Sequence, residues 1–344
     1  MLQRYPGGYT ERGAKGPPWA GRGVTCDTIV HSLRQSTAPR HRDTSLEQGS
    51  TVTEIVDAPP DFVLPARFTA PPRLTQRYPA LYPVAVTLLQ AKRHLAWRRP
   101  GTRWVSERRA EPLPFRVKQH KSLLLRTLVP DQMWLQHNKV TNLRLASAQV
   151  DTVLIRPGET FSFNKVIGNC TRRKGYVEGM RLSGGAARPG VGGGICQLAN
   201  LLHWMVLHSP LTVVERSEHS FDPFPDNGRV LPWGVGCSIA YNYVDFVVRN
   251  DTDATYQLFV SVGERYLEGE LRTDREPEHT FRVFAKDECF MRYAGEYYRR
   301  NEIWRTLVDR WTGQRVRDEL VKENFALVKY TPGDVSVIDC DGLA

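Results

Sequence analysis

GGGICQLANLLHWMVLHSPLTVVER, residues 192–216, is the stretch on which the fold turns. Three glycines deliver Cys196 to a run from Gln197 to His208 whose apolar residues read as a buried helix. Pro210 ends that run, because its ring removes an amide donor and clashes with the preceding turn. Leu211 to Arg216 then reads as a strand, with His219 just past its end. Gly192, Gly193 and Gly194 lack a Cβ, so the backbone can turn sharply and a ligand can come close. A thiol at a helix start faces unpaired N–H groups and the positive end of the helix dipole. That setting favours the nucleophilic thiolate.

The pattern upstream is helical from Leu123 to about Val150, with a break near Pro130 and Asp131. Val153 to Ile155 reads as a short strand, and Phe161 and Phe163 alternate as a half-buried strand does. Downstream, Asp222 to Gly236 is a loop, and Ser238 to Arg249 is a strand carrying Asp245. Tyr256 to Val262 is another strand. Ile303–Trp311 and Gln314–Val321 flank a tight turn at Thr312-Gly313, and Phe325–Tyr330 reads as a third strand. The expected fold is therefore α+β: an antiparallel sheet with the cysteine-bearing helix packed on it, and a small β-rich C-terminal region. The order helix with Cys, strand with His, strand with Asp matches the core of transglutaminase-like and papain-like enzymes, which is fold-level analogy.

Length and charge divide the chain. Its 344 residues allow about two domains. Residues 1–120 hold 19 Lys and Arg against 9 Asp and Glu, which accounts for the whole net charge of +10. Residues 1–72, rich in Gly, Pro, Arg, Thr and Ser, read as a disordered or mis-started tail. Residues 73–122 form a basic segment whose Tyr78–Leu89 run is too short to span a membrane but suits an interfacial helix. The core domain is expected over 123–275 and the β-rich region over 276–344. The sequence carries no export signal, which points to a cytoplasmic place with a peripheral membrane contact through residues 73–109.

The six cysteines form no CxxC pair and no zinc-finger spacing, so neither a metal nor a disulfide scaffold is expected. The glycine run lacks the Lys-Ser/Thr of a phosphate loop, and no nucleotide or other cofactor is expected. The globular part lacks the interleaved basic and aromatic residues of an RNA-binding sheet, so no nucleic acid is expected as partner.

Two readings of the site stand. In the first, Cys196 is a nucleophile in acyl transfer and His219 its base. Asp245 orients the imidazole, with Asp222, Asp226 and Asn242 as other choices. Gln197 supplies an oxyanion or substrate hydrogen bond, Arg216 binds a substrate carboxylate, and Tyr176 stacks on a ligand. In the second, Cys196 is a small buried hydrophobe, the glycines permit tight helix–strand packing, and the protein binds without catalysis.

The segments PGETFSFNKVIG (157–168), RRKGYVEGM (172–180), GGGICQLANLLHWMVLHSPLTVVERSEHSFDPFP (192–225) and YNYVDFVVRNDTDATYQL (241–258) resemble the VanW family. MWLQHNKVTNLRLA (133–146) and ENFALVKY (323–330) resemble its short form. The resemblance runs from about residue 73 to 330. It implies an association with bacterial cell-wall peptidoglycan and glycopeptide (vancomycin) resistance, and no settled reaction. Joined to the cysteine, it makes the chain either an amidase or acyl transferase on peptidoglycan peptides, or an accessory protein that binds a cell-wall peptide, a precursor or a partner in the resistance pathway.

Overall fold

The computed structural model describes residues 55–57, 65, 68, 71, 74–125, 133–183, 186–218, 221–222, 225–226, 229–333 and 335–341. The chain opens with β1 (Ile55–Asp57), α1 (Leu74–Arg77), α2 (Tyr82–Arg98), β2 (Arg103–Trp104) and β3 (Phe115–Leu123). There follow α3 (Met133–Val150), β4 (Leu154–Ile155), β5 (Glu159–Ser162), α4 (Phe163–Ile167), β6 (Glu178–Ser183) and β7 (Ala186–Val191). Then come α5 (Cys196–Leu207), β8 (Thr212–Glu215), β9 (Phe221–Asp222), β10 (Val247–Arg249) and β11 (Tyr256–Val262). The last strands are β12 (Tyr266–Thr273), β13 (His279–Tyr293), β14 (Glu296–Asp309), β15 (Arg315–Val328) and β16 (Val337–Asp339).

The fold is α+β. An antiparallel sheet in the order β3-β12-β11-β4 carries the main core on one face. Alternate residues of β12 point inward, and Leu267 and Leu271 are fully covered. At Gly269 an added Cβ would lie 2.8 Å from Leu201 Cδ2 and from Met205 Cε, so this glycine lets α5 settle onto the strand. Leu143, Ala146 and Val150 of α3 fill the same core beside Leu198, Leu202 and Met205 of α5.

A second sheet, β2-β5-β10-β8, seats Val247 and Val248 between β5 and β8. The third is longer: β13, β14 and β15 form an antiparallel ribbon, flanked in parallel by β16 and β1 on one side and by β9 on the other. Trp204 and Leu207 of α5 meet Ile303 of β14 and Val235 in a shared cluster, so the C-terminal strands pack on the cysteine-bearing helix.

Several elements differ from the sequence reading. The helix begins at Met133, not Leu123, because FRVKQHKSL (115–123) alternates and pairs with β12. Residues 126–132, with the expected break at Pro130, lie outside the described residues. Phe163 opens α4 rather than extending the strand, since the Ser162 hydroxyl caps the Lys165 N–H at 3.1 Å. The strand expected over Ser238–Arg249 is confined to Val247–Arg249. Before it, Ala240 bridges to Val244 and Asn242 adopts φ +62°, a left-handed turn that asparagine tolerates. Phe325–Val328 continues β15 instead of forming a separate strand. The turn between β14 and β15 holds Gly313 at φ +71°. Ile55–Asp57, expected within a disordered tail, pairs with β16, while residues 1–54 lie outside the described residues.

Candidate functional site

The glycine run is pinned from below by α3. Asn142, fully buried, donates to the carbonyls of Gly193 (2.9 Å) and Val177 (3.0 Å) and accepts from the Val177 N–H (2.9 Å). A Cβ on Gly193 would stand 2.1 Å from the Gly179 carbonyl oxygen, and one on Gly194 2.2 Å from Lys139 Cγ. Gly192 and Gly194 also have φ of +74° and +90°. On the side where a Cβ would stand, the space beside Gly193 is filled by the Gly179 backbone.

Cys196 begins α5 half-buried. Burial raises its thiol pKa above the ordinary value, although the backbone N–H of Ile239, the Arg181 charge and its own N–H favour the thiolate. Two more thiols are close enough to interact with it electrostatically. Cys170, hydrogen-bonded to Tyr176, is raised by burial, and Cys237 is pushed up to about 12 by the same cause. Burial of the helix start thus works against a thiolate at Cys196, opposed by the Ile239 and Cys196 N–H donors and by Arg181.

The other expected site residues are spread around it. His219 lies outside the described residues. Asp245 sits just before β10, fully buried, and accepts from Ser162 Oγ (2.6 Å), the Asn164 N–H (2.9 Å) and the Phe246 N–H (2.8 Å). Burial lifts its carboxyl to about 6 against those hydrogen bonds. Gln197 ties the start of α5 to β3, donating to Ser122 Oγ (2.9 Å) and the Leu123 carbonyl (2.8 Å). Arg216 donates to the Gly234 (2.5 Å) and Gly236 (3.0 Å) carbonyls, holding the loop before Cys237. Tyr176 is buried in the main core. Asp222 and Asp226 both bind Arg299. Asn242 faces His94, Nδ2 to Nε2, at 2.7 Å. His203 and His208 bond the Val235 and Trp204 carbonyls, and among the described residues no imidazole hydrogen-bonds to Cys196.

An open cavity of about 640 Å³ lies between α2 and the second sheet. Leu89, Lys92, Arg93 and Ala96 line it from α2, and Thr160, Val214, Glu215, Tyr243, Val247 and Arg249 line it from the strands and the turn before β10. Gly101 to Trp104 close a third side. Arg93 neutralises Glu215 in a two-pronged pair at 2.7 and 2.5 Å. Arg249 pairs with Asp251 at 2.5 Å. Lys92 and Arg103 pair with no carboxylate among the described residues, so the cavity has a cationic balance. Tyr243, pushed up to about 12 by burial, joins Tyr82 at 3.2 Å on the rim and is within electrostatic reach of Arg181.

Sequence reading missed Asn142 and Arg93. Both are polar residues on the inward side of a helix, and that inward side is defined only once the partner elements are in place.

The fold and this arrangement define an α+β protein with a glycine-delivered cysteine and, between α2 and the second sheet, a cationic cavity. Residues 138–272 match the family described as "VanW like protein". The vancomycin B-type resistance protein VanW of Enterococcus faecalis (strain ATCC 700802 / V583) is 31% identical over 258 residues, covering 75% of this chain and 94% of that protein. The uncharacterized protein YoaR of Bacillus subtilis (strain 168) is 38% identical over 96 residues, covering 27% of this chain and 32% of that protein. This chain belongs to the VanW family. No solved structure matches it.

Proposed function

We propose that this protein serves vancomycin-type resistance as an accessory binding protein, seating a cell-wall peptide or its precursor in the cavity between α2 and the second sheet. The observation that carries this reading is the cavity itself: about 640 Å³, with Lys92 and Arg103 for an anionic group and Leu89, Ala96, Val214 and Val247 for an apolar body. Cell-wall peptides offer a carboxylate and their precursors a phosphate, and guanidinium groups bind either. The relative named for vancomycin resistance supplies the context. Titration calorimetry with soluble muropeptides bearing a free C-terminal carboxylate tests it. Saturable binding, weakened about tenfold or more by Lys92→Gln with Arg103→Gln and unchanged by Cys196→Ser, is expected. Absence of binding would overturn the reading.

A second reading, cysteine-dependent acyl transfer on the same peptides, is favoured by one observation. The backbone N–H of Ile239 and that of Cys196 both face the thiol, as donors to an oxyanion would. His219 is the base this reading requires. Product release from a muropeptide that disappears in Cys196→Ala, with the fold retained, is its signature.

A further inference from the structure

Helix α2 turns an apolar stripe toward solvent. Three of its polar residues bind the protein: Gln90 donates to the Tyr241 carbonyl at 3.2 Å, Arg93 grips Glu215, and His94 meets Asn242. Ala85, Val86, Ala96 and Trp97 are partly covered, but a row of larger apolar residues faces solvent. Leu81, Val84, Leu88 and Leu95 are 47, 57, 65 and 61% exposed, and their spacing sets them in one stripe along the helix, completed by exposed Ala91. Of the fifteen large apolar residues exposed among the described residues, eight fall between Leu74 and Leu95. A surface helix that rests on its own domain shows the opposite arrangement. An apolar stripe of this extent marks a surface that is covered in use.

Charge selects what covers it. Residues 62–106 contain eight Lys and Arg and no Asp or Glu. Arg93 is spent on Glu215, whereas Lys92, Arg98 and Arg99 are exposed on and just beyond the helix. A second copy meeting this surface through the same patch would bring these cations against each other. A bilayer with anionic headgroups satisfies both features: the acyl boundary takes the stripe and the phosphates take the cations. Among the described residues no helix is long and apolar enough to cross a membrane, so α2 lies along the surface.

We propose that the outward face of α2, centred on Val84, Leu88 and Leu95, is a docking surface for an anionic lipid bilayer. The ligand cavity lies against the same helix, through Leu89, Lys92, Arg93 and Ala96, so docking sets the cavity close to the lipid headgroups.

The test is sedimentation of the full chain with phosphatidylglycerol vesicles and, separately, with phosphatidylcholine vesicles. Binding to the anionic vesicles is expected, reduced by salt as screening grows. It should fall at least tenfold in Leu88→Glu with Leu95→Glu, and severalfold in Arg98→Gln with Arg99→Gln. Because Leu88 and Leu95 are exposed, thermal unfolding of the Glu variant should match the parent, which separates lost docking from lost fold. Binding that survives both glutamates would overturn the proposal, as would failure to bind anionic vesicles. A dimer in light scattering that the two glutamates dissolve, without vesicle binding, would assign the face to a second copy instead.

Discussion

Asn142 of α3 donates its side-chain amide to the carbonyl of Gly193, 2.9 Å away, and so fixes the loop that delivers Cys196. Removing it leaves the Gly193 carbonyl and both Val177 backbone groups buried without that partner. Asn142→Ala should therefore cost about 2–4 kcal/mol, read from the urea midpoint. Gly193→Ala should cost more than about 3 kcal/mol, since its Cβ would meet backbone that cannot step aside. Gly313→Ala, whose Cβ meets nothing within 4 Å, should cost only about 1–2 kcal/mol through its φ of +71°. Equal losses at the two glycines would show that the loop can move.

Parts of this architecture are legible in the sequence, and the division has a physical basis. Helix α5 and strand β11 announce themselves, the first as an apolar run stopped by Pro210 and the second as YQLFVSV closed by Gly263, whereas of β14 only the part from Ile303 on reads as strand. The residues 238–246 misled because SIAYNYVDF has the composition of a strand, while its conformation is set by Asn242 in a left-handed turn and by the buried Asp245. The cysteine is legible as a position at a helix start; the balance acting on its thiol is not, because Ile239, Arg181 and the thiols of Cys170 and Cys237 reach it from other parts of the chain. The cavity was not legible at all. It needs Arg93 from one element to neutralise Glu215 from another.

That pair makes the next prediction. Arg93 and Glu215 are mostly covered, with side chains 17 and 21% exposed. Either Arg93→Met or Glu215→Gln alone leaves a partner poorly solvated and should cost about 2 kcal/mol. The double variant should be less harmed than the sum, with a coupling of about 1–3 kcal/mol in a double-mutant cycle. Limited proteolysis should cut α2 faster in the single variants. Additive losses would show that the pair does not hold the helix.

Stability should change with pH in two opposed ways. Asp245 moves from 3.8 to about 6 on folding, so the folded state holds an extra proton between those values and loses up to about 3 kcal/mol as pH rises through them. His208 moves from 6.5 to about 4, so its stability is present above 6.5 and is lost, by about 3 kcal/mol, as pH falls toward 4. His203 is lowered too and adds to the acid loss. Urea unfolding at pH 4.5 and 7 should show a weaker protein in acid. His208→Gln should flatten that difference, and Asp245→Asn should steepen it by removing the opposing contribution. A variant Asp245→Asn with the parent's slope would mean that Asp245 is already ionised in acid.

The sharpest discrimination between binding and catalysis lies at Cys196. Its thiol is raised by burial, so iodoacetamide should react slowly at pH 7 and faster only well above the free-thiol range near 8.5. His219→Ala should leave that profile unchanged, because a thiol held protonated by desolvation gives an imidazole no thiolate to stabilise. Arg181→Gln should slow the reaction further by removing the one cation that favours the thiolate among the groups acting on Cys196. Peptide mass spectrometry reads each modified cysteine separately, and Cys237, pushed up to about 12, serves as the inert standard within the same molecule. A Cys196 that is alkylated rapidly at pH 6 to 7, and slowed by His219→Ala, would instead establish a thiolate–imidazolium pair. It would transfer the leading role from the cavity to the helix start.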